Sequence, residues 1–331
     1  MLKPYNHFQA NDSASGCSFT DKESASTILK MIAYTSISLL SLAGNTLVLA
    51  VFRKNRELRS VVFYFIANMA VSDLVLPLFA FPRAIGEIIN GPLTWMLDGS
   101  IGSLSCKMAT FLQDISTAVS IESLVVIALE RFVSVVHSDR KSFLSSQKTR
   151  RTVLVCTWVL AILLHLPYLF VFEIVKANGK QFCLPLWSSD RRWRMTIPVI
   201  YFVSIFTVLY ALPFLLLAIL YSAIVHKLRH LDIPGCNCSQ RRRRQERNRT
   251  ITIMAMIFVA AFFLCWTPFF IYAFLLCFKW HLDMPCSQIN FRFTVILIAH
   301  LNSAINPFIY FLCSKSFRKG VRNVIPLCLE I

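Results

Sequence analysis

The chain has 331 residues, of which 56% are hydrophobic and only 15% are charged, with a formal net charge of +17. Soluble domains have closer to a quarter of their residues charged, so this composition argues against a soluble protein. With 28 Phe and only 9 Gly, it also argues against a glycine-turned β-barrel and predicts an all-α membrane protein.

Seven apolar segments are long enough to cross the hydrocarbon core of a bilayer, which takes about 20 helical residues. In chain order they are Ile28–Phe52, Val61–Ile85, Leu104–Val136, Arg151–Phe172, Thr196–Val225, Ile251–Phe278 and Phe291–Leu312. The sequence therefore predicts a seven-transmembrane-helix bundle over residues 28–312. Residues 1–27 precede the bundle, and residues 313–331 form a short amphipathic eighth helix and tail.

The basic residues lie mainly on one side of this bundle. Arg53–Arg59, Arg140–Arg151, His226–Arg249 and Lys315–Arg322 hold four, five, eight and four of the 34 Lys and Arg residues. By the positive-inside rule, residues 1–27 are predicted to be extracellular and residues 313–331 cytoplasmic, in a multi-pass plasma-membrane protein. The Arg241–Arg244 run then belongs to a cytoplasmic loop and does not predict a nucleic-acid partner.

The polar N-terminal segment shows no signal-peptide pattern and carries one glycosylation sequon, Asn11-Asp12-Ser13, on the predicted outer side. Asn11 is therefore expected to be glycosylated.

Five of the eleven cysteines lie on the predicted outer side, where disulfides persist. A bridge between Cys106 and Cys183 would hold the second outer loop over the bundle. Cys277 and Cys286 can pair with each other, or Cys17 can pair with either one, and the spacing does not decide between these pairings.

Asp73 lies in the middle of the second span, where a carboxylate is costly and indicates a functional role. Polar residues that can face it from other spans are Asn45, Ser120, Asn302, Ser303 and Asn306. A carboxylate with neutral oxygens can hold a sodium ion, and no other metal or cofactor is indicated. A water-filled hydrogen-bond network is the alternative, and the sequence favours neither strongly.

Glu130-Arg131-Phe132 ends the third span on the cytoplasmic side, where Arg131 can pair with its neighbour or swing outward to a partner's carbonyl groups. Prolines within the spans include Pro77, Pro167, Pro213, Pro268 and Pro307. Kinks next to Trp266 and Asn306 are the best candidates for hinges.

Together these motifs resemble the rhodopsin-like (class A) G-protein-coupled receptor family, and the match covers all seven spans. The matching features are Gly44-Asn45, Asn68–Asp73, Trp95, Cys106, Glu130–Phe132, Trp158, Cys183, Pro213 with Tyr221, Cys265–Pro268, Asn306–Tyr310 and Phe317. The resemblance implies a receptor that binds an extracellular ligand and activates a heterotrimeric G protein. It does not imply an enzyme, and the chain shows no nucleophile–base set.

The resemblance also implies roles for individual residues. Asp73, Ser120, Asn302 and Asn306 match the family's allosteric sodium pocket. The residues that match its activation switches are Glu130, Arg131, Tyr221, Phe262, Trp266, Asn306, Pro307 and Tyr310.

Three positions depart from the family pattern: Phe132 replaces a frequent Tyr, Ser138 a frequent Pro, and Asn248 an acidic residue found in some members. With Asn248 unable to pair with Arg131, Glu130 is the main partner left, and elevated basal signalling is expected.

Gln113 occupies the position where the family's amine receptors carry an Asp. Asp114 is adjacent but rotated by roughly 100° around the helix, which disfavours an amine ligand. His300 stands where light-sensing members carry a Lys, which argues against an opsin. Gln113, the long loop Glu173–Thr196 and the cysteine-rich outer surface resemble the neuropeptide-receptor branch.

The candidate ligand-binding residues near the outer ends of the spans are Glu87, Gln113, Asp114, Trp266, Phe269, Phe270, Arg292, Ile296 and His300. Acidic residues such as Glu87 can receive basic or amidated peptide ends, whereas Arg292 suits a carboxylate. A receptor for a monoamine or another small molecule is the alternative. A seven-span transporter is disfavoured because no ladder of charged residues crosses the spans.

The tail has no Ser or Thr after Phe317, so arrestin coupling is expected to be weak. Ser142, Ser145, Ser146 and Thr149 are alternative phosphate acceptors. Cys328 is a candidate for palmitoylation, which would add a contact with membrane lipid.

Overall fold

The computed structural model describes residues 24–55, 60–137, 142–230 and 239–329. Its helices are α1 Ser24–Lys54, α2 Val61–Asp73, α3 Val75–Asn90, α4 Gly99–Val136, α5 Gln147–His165, α6 Tyr168–Val171, α7 Arg191–Phe206, α8 Leu212–His230, α9 Ser239–Phe274, α10 Ile289–Cys313 and α11 Lys315–Leu329. Its strands are β1 Phe172–Ala177 and β2 Lys180–Pro185. The predictions for Asn11, Cys17 and Ser138, and for the side chain of Cys328, lie outside what is described.

Seven long helical segments form the bundle. Six of them are long and apolar enough to span a membrane within the described residues: Ala25–Lys54, Val61–Asn90, Gln147–Val171, Arg192–Arg229, Asn248–Lys279 and Cys286–Cys313. The seventh is α4, whose 38 residues give a length of about 57 Å. It packs against α2, α3, α5, α8 and α9, so helices surround much of it and several of its polar residues are buried. The prediction of a seven-helix bundle is confirmed.

The second predicted span is bent between α2 and α3 rather than straight. Pro77 has no backbone N–H, so the carbonyl of Asp73 loses its usual partner four residues on. The Ser41 hydroxyl of α1 donates to that carbonyl at 3.4 Å. The Ser116 hydroxyl of α4 donates to the neighbouring Ser72 carbonyl at 2.7 Å. Side chains of two other helices therefore satisfy the backbone at the bend.

The fourth predicted span is interrupted near its end, because α5 ends at His165 and Pro167 begins a new turn. Phe172, predicted to end that span, instead begins an antiparallel hairpin of β1 and β2. The connecting residues Asn178 and Gly179 have φ angles of 49° and 70°, the left-handed geometry that a tight hairpin turn requires.

The hairpin covers one end of the bundle, which we call the disulfide end. A Cys106–Cys183 disulfide joins β2 to α4, with 5.8 Å between the two Cα atoms, as predicted. Backbone hydrogen bonds also tie β2 to the loop before α4: Cys183 N donates to Leu93 O at 2.9 Å and Trp95 N to Gln181 O at 2.8 Å. The opposite end, where α4 finishes, is called the Arg131 end.

The loop between α9 and α10 excludes one of the alternative disulfides. Cys286 is disulfide-bonded, whereas Cys277 is a buried free thiol, so the Cys277–Cys286 pairing is not formed. No cysteine within the described ranges is the partner of Cys286.

Two helices contain π-helical segments that the sequence did not predict. One, Thr207–Ala211, lies between α7 and α8 and ends two residues before Pro213. It widens the helical turn next to a proline, which has no backbone N–H to donate. The other, Leu275–Lys279, extends α9 at the disulfide end. At its other end, α9 begins at Ser239, well before the predicted Ile251.

Gly44 sets the distance between α1 and α10. A Cβ atom at this position would lie 2.6 Å from Cγ and 2.8 Å from Cβ of Pro307. Both contacts are closer than carbon atoms allow, and the proline ring cannot rotate away. Only glycine therefore permits this approach without a shift of one helix.

We expect Gly44→Ala to lower the melting temperature of the purified full-length protein, because overpacking costs about 1–3 kcal/mol. Gly86→Ala is the matched control, since a Cβ there would meet only the flexible Met96 side chain at an ordinary 3.5 Å. Thermal unfolding of both variants in the same detergent measures the effect. Equal melting temperatures for Gly44→Ala and the parent chain would contradict the assigned packing.

Candidate functional site

A buried polar cluster occupies the middle of the bundle, formed by Asp73, Ser120, Asn302 and Asn306. Asp73 is only 1% exposed. Its Oδ1 accepts from the Ser120 hydroxyl at 3.4 Å, and its Oδ2 accepts from the Asn306 amide at 2.8 Å. These bonds join α2, α4 and α10. The carboxylate is thus the point where three helices meet.

Asn45 of α1 donates to an unpaired backbone carbonyl of α10, as Ser41 does to one of α2. Pro307 deprives the Ser303 carbonyl of its usual partner, and the Asn45 amide donates to that carbonyl at 3.1 Å. The same amide also donates to the Ser41 carbonyl at 2.9 Å within α1. The proline in α10 is therefore compensated by a side chain of α1.

The Asp73 cluster has the ligands that a hard monovalent cation prefers. The Asp73 carboxylate and the Ser120 hydroxyl offer oxygens, and the Oδ1 atom of Asn302 is buried without a hydrogen-bond partner among the described residues. These residues fit sodium, which would balance the buried charge where three helices meet. The sodium assignment stays a prediction.

An aromatic cluster lies between the Asp73 cluster and the disulfide end. Trp266 is buried beside Pro268, and its ring centroid lies 6.1 Å from that of Phe262, 5.5 Å from Phe269 and 6.3 Å from Phe270. Three residues predicted to bind ligand therefore form one continuous surface. Tyr210, from the π-helical segment, lies 4.4 Å from Phe270 and was not predicted.

Glu87 is not a free acidic group. Its Oε1 pairs with Arg83 Nε at 3.0 Å, one helical turn earlier, and its Oε2 pairs with Arg292 Nη1 of α10 at 2.6 Å. Arg83 Nη1 also donates to the Thr110 hydroxyl of α4 at 2.9 Å. The three charged side chains are 12–16% exposed, so removing one partner is expected to cost about 3–5 kcal/mol. This ion cluster joins α3, α4 and α10 at the disulfide end.

His300 lies deeper in α10, where its Nδ1 hydrogen-bonds with the Tyr34 hydroxyl of α1. The two rings also make an edge contact, with 5.6 Å between centroids. Both side chains line a cavity of about 10 Å³, enough for one water, that reaches Ser41 and Ser303. Ile296 packs instead into a small apolar cluster around Tyr272.

Asp114 faces the α5–α7 side of the bundle. The Tyr168 hydroxyl donates to its carboxylate, and the His165 ring lies nearby. Tyr168 in turn packs against Tyr201, with 5.4 Å between ring centroids. Gln113, one residue earlier, is half-buried and interacts with the same carboxylate. Asp114 therefore interacts with the tyrosines, whereas Thr110 of the same helix accepts from Arg83.

At the Arg131 end, Arg131 Nη2 lies 3.7 Å from Glu130 Oε1, and both residues are buried. The Ser142 hydroxyl, from the following loop, donates to Glu130 Oε2 at 2.5 Å. The hydroxyls of Tyr221 and Tyr310 are buried with no hydrogen-bond partner in the part of the chain that the structure describes. Of the predicted switch residues, Glu130, Arg131 and Tyr221 thus lie at this end, whereas Trp266 belongs to the aromatic cluster and Asn306 to the Asp73 cluster.

Sequence reasoning missed several residues of these sites: Arg83, Tyr34, Tyr168, Tyr201, Glu122 and Ser142. For two of these residues the sequence does contain an indication of their role. Arg83 is a charge within a span, four residues before Glu87, which is the spacing of a helical ion pair. Glu122 is a charge in the middle of α4, and its oxygens are buried with no hydrogen-bond partner among the described residues.

Comparisons with known proteins agree with this arrangement. The profile of the family described as "7 transmembrane receptor (rhodopsin family)" matches residues 44–310. The chain is 30% identical to galanin receptor type 2 of Homo sapiens over 301 residues, 90% of this chain and 73% of that protein. It is 31% identical over 308 residues to neuropeptide FF receptor 1 of Homo sapiens, covering 88% of this chain and 68% of that receptor. It is 26% identical over 300 residues to the tachykinin-like peptides receptor 86C of Drosophila melanogaster, covering 87% and 57%.

The fit of the Asp73 cluster to sodium predicts an ion-specific effect on stability. Sodium chloride should raise the melting temperature of the purified protein by about 2–4 °C over choline chloride at equal ionic strength, because only the native state binds the ion. Asp73→Asn should abolish the difference, whereas Glu122→Gln, which removes another carboxylate from the bundle, should retain it. Equal melting temperatures of the parent chain in the two salts would count against a sodium site.

Proposed function

The chain belongs to the rhodopsin family of seven-transmembrane receptors, and we propose that it is a neuropeptide receptor that activates a heterotrimeric G protein. It is a multi-pass membrane receptor and not an enzyme. The observation that carries the ligand assignment is the 30% identity, over 90% of the chain, to a galanin receptor. Receptors named for neuropeptide FF and tachykinin-like peptides are similar over 88% and 87% of the chain.

The proposed orientation puts the N-terminus outside the plasma membrane and the Arg131 end in the cytoplasm. The distribution of Lys and Arg supports this orientation, because the loops and tail on the Arg131 side carry most of them. The disulfide end then faces the ligand, and Asn11 is available for glycosylation.

Cys17 is proposed as the partner of Cys286. The bridge between Cys277 and Cys286 is not formed, and the other cysteines outside the described ranges lie on the cytoplasmic side in this orientation. The bond would tie the N-terminus to the loop before α10.

Activation is proposed to be a change in population between a closed and an open Arg131 end. A ligand that contacts Phe269 and Phe270 also reaches Trp266, which lies next to the Pro268 hinge of α9. Movement of α9 there would release Arg131 for the carbonyl groups of a G protein. The ligand shifts this equilibrium only by its preference for the open state.

A peptide is favoured over a monoamine because the Asp114 carboxylate already accepts from Tyr168 and lies apart from the aromatic cluster. An amine that used Asp114 would have to displace that bond. A transporter is not favoured, since the chain belongs to a receptor family.

The remaining proposed contacts are with membrane lipid, through α11 and a palmitoyl group on Cys328, and weakly with arrestin. The amphipathic helix α11 buries Phe317 and Val321 and exposes Lys315 and Lys319, the pattern of a helix on a membrane surface. Residues 318–331 contain no Ser or Thr.

Cells that express the receptor with a promiscuous G-protein reporter should respond to members of a peptide library and not to monoamines. Asp114→Asn should change peptide potency by less than about tenfold, because that residue is not the proposed anchor. A monoamine response that Asp114→Asn abolishes would instead favour the small-molecule alternative. Mock-transfected cells are the control.

Basal G-protein activation in receptor-expressing cells should exceed that in mock-transfected cells, because Asn248 supplies no acidic partner for Arg131. Glu130→Gln should raise it about fivefold further, the effect of losing roughly 1 kcal/mol from the closed state. Glu122→Gln, on the same helix, is the matched control and should have the basal activity of the parent receptor. Basal activity at the mock level, with no increase in Glu130→Gln at equal surface expression, would refute this account.

A further inference from the structure

The ion cluster at the disulfide end has more positive than negative charge. Arg83 and Arg292 carry two positive charges, and Glu87 supplies one negative charge between them. Both Glu87 oxygens are already bound, one to each arginine. The cluster therefore has a net charge of +1, and both Glu87 oxygens are already paired with a cation.

The two guanidinium groups also have more donors than the protein uses. Each carries five N–H bonds. Arg83 uses donors toward Glu87 and Thr110, and Arg292 uses donors toward Glu87 and Tyr272. Among the described side chains, neither arginine has a nitrogen that is both buried and without a partner. Both guanidinium groups therefore keep N–H donors beyond those that these side chains occupy.

A further cation lies on the same side of α4. Lys107 is three residues before Thr110 and seven before Asp114, so the three share one face of the helix. Lys107 is half-buried and forms no salt bridge with any residue that the structure describes. The acid nearest along that face, Asp114, is bound by Tyr168. Arg83, Arg292 and Lys107 carry three positive charges, and Glu87 carries one negative charge. Even with Asp114 ionised, the net charge of these five groups is positive.

We propose that Arg83, Arg292 and Lys107 form a subsite for a carboxylate of the ligand, with Glu87 holding the two arginines in place. Two spare guanidinium groups at one site can bind a carboxylate in the paired geometry that arginine favours. The acceptor is either a free peptide C-terminus or an Asp or Glu side chain. This inference rests on the proposed function for its assumption that ligand enters at the disulfide end.

The test uses purified full-length receptor in nanodiscs and two small probes, N-acetylphenylalanine and N-acetylphenylalaninamide, which differ only in the carboxylate. The acid should raise the melting temperature at a concentration at least about tenfold lower than the amide. A second pair, N-acetylglutamate α-amide and N-acetylglutamine amide, presents the carboxylate on a side chain. The pair with the larger difference identifies the source of the group.

Arg292→Gln should remove the difference between acid and amide, and Arg292→Lys should restore part of it. Lys279→Gln is the matched control, because it removes an exposed positive charge from the same end of the bundle outside the cluster. If Arg292→Gln does not fold, Lys107→Gln decides, since Lys107 does not contact Glu87, and the difference should fall about threefold. Equal effects of acid and amide on the parent receptor, no effect of either, or an unchanged difference in the deciding variant would overturn the proposal.

The outcome is separable from that of the proposed function. Failure of every peptide to activate a G protein would reject the neuropeptide assignment, yet the acid–amide comparison does not depend on activation. Peptide agonists whose potency is unchanged when both their terminal and their side-chain carboxylates are converted to amides would reject the carboxylate subsite alone.

Discussion

A proline within a membrane-spanning helix leaves one backbone carbonyl without its hydrogen-bond donor, and the hydrocarbon core has no water to replace that donor. The bundle depends on side chains that donate to these carbonyls instead. Pro77 and Pro307 leave the carbonyls of Asp73 and Ser303 without their helical donors. These two carbonyls accept hydrogen bonds from side chains of α1 at 3.4 and 3.1 Å. The Asp73 side chain then binds Asn306, the residue before Pro307. The bends, the buried carboxylate and the contacts of α1 with α10 are therefore parts of one hydrogen-bonded arrangement.

This arrangement divides the polar interior into regions with different chemistry. The Asp73 cluster is acidic and buried, whereas the cluster around Arg83 and Arg292 is cationic and lies at the disulfide end. The rings around Trp266 lie between them and carry few polar atoms. An ion and a ligand can thus act on the same bundle without competing for the same groups, and each can favour a different state of the Arg131 end.

The number of spans and the Cys106–Cys183 bridge could be predicted, because each depends on composition or on a local motif. The bend before Pro77 could not be located, since a proline permits a kink without fixing its place. Asn178-Gly179 is a strong hairpin signal that a prediction of helical spans did not consider. The pairing of Glu87 with Arg292 depends on two helices meeting across 205 positions of sequence, which no local pattern contains.

The contact between Gly44 and the Pro307 ring has an evolutionary consequence. A side chain at position 44 is excluded only while the ring is present, because the ring atoms are the ones that a Cβ would meet. Replacing Pro307 with a smaller residue would free position 44, but would also return a backbone N–H to the Ser303 carbonyl and leave the Asn45 amide with one acceptor fewer. Divergence at any of these positions should therefore occur as linked substitutions, and a lineage that lost the proline would be free to lose the glycine and the asparagine after it.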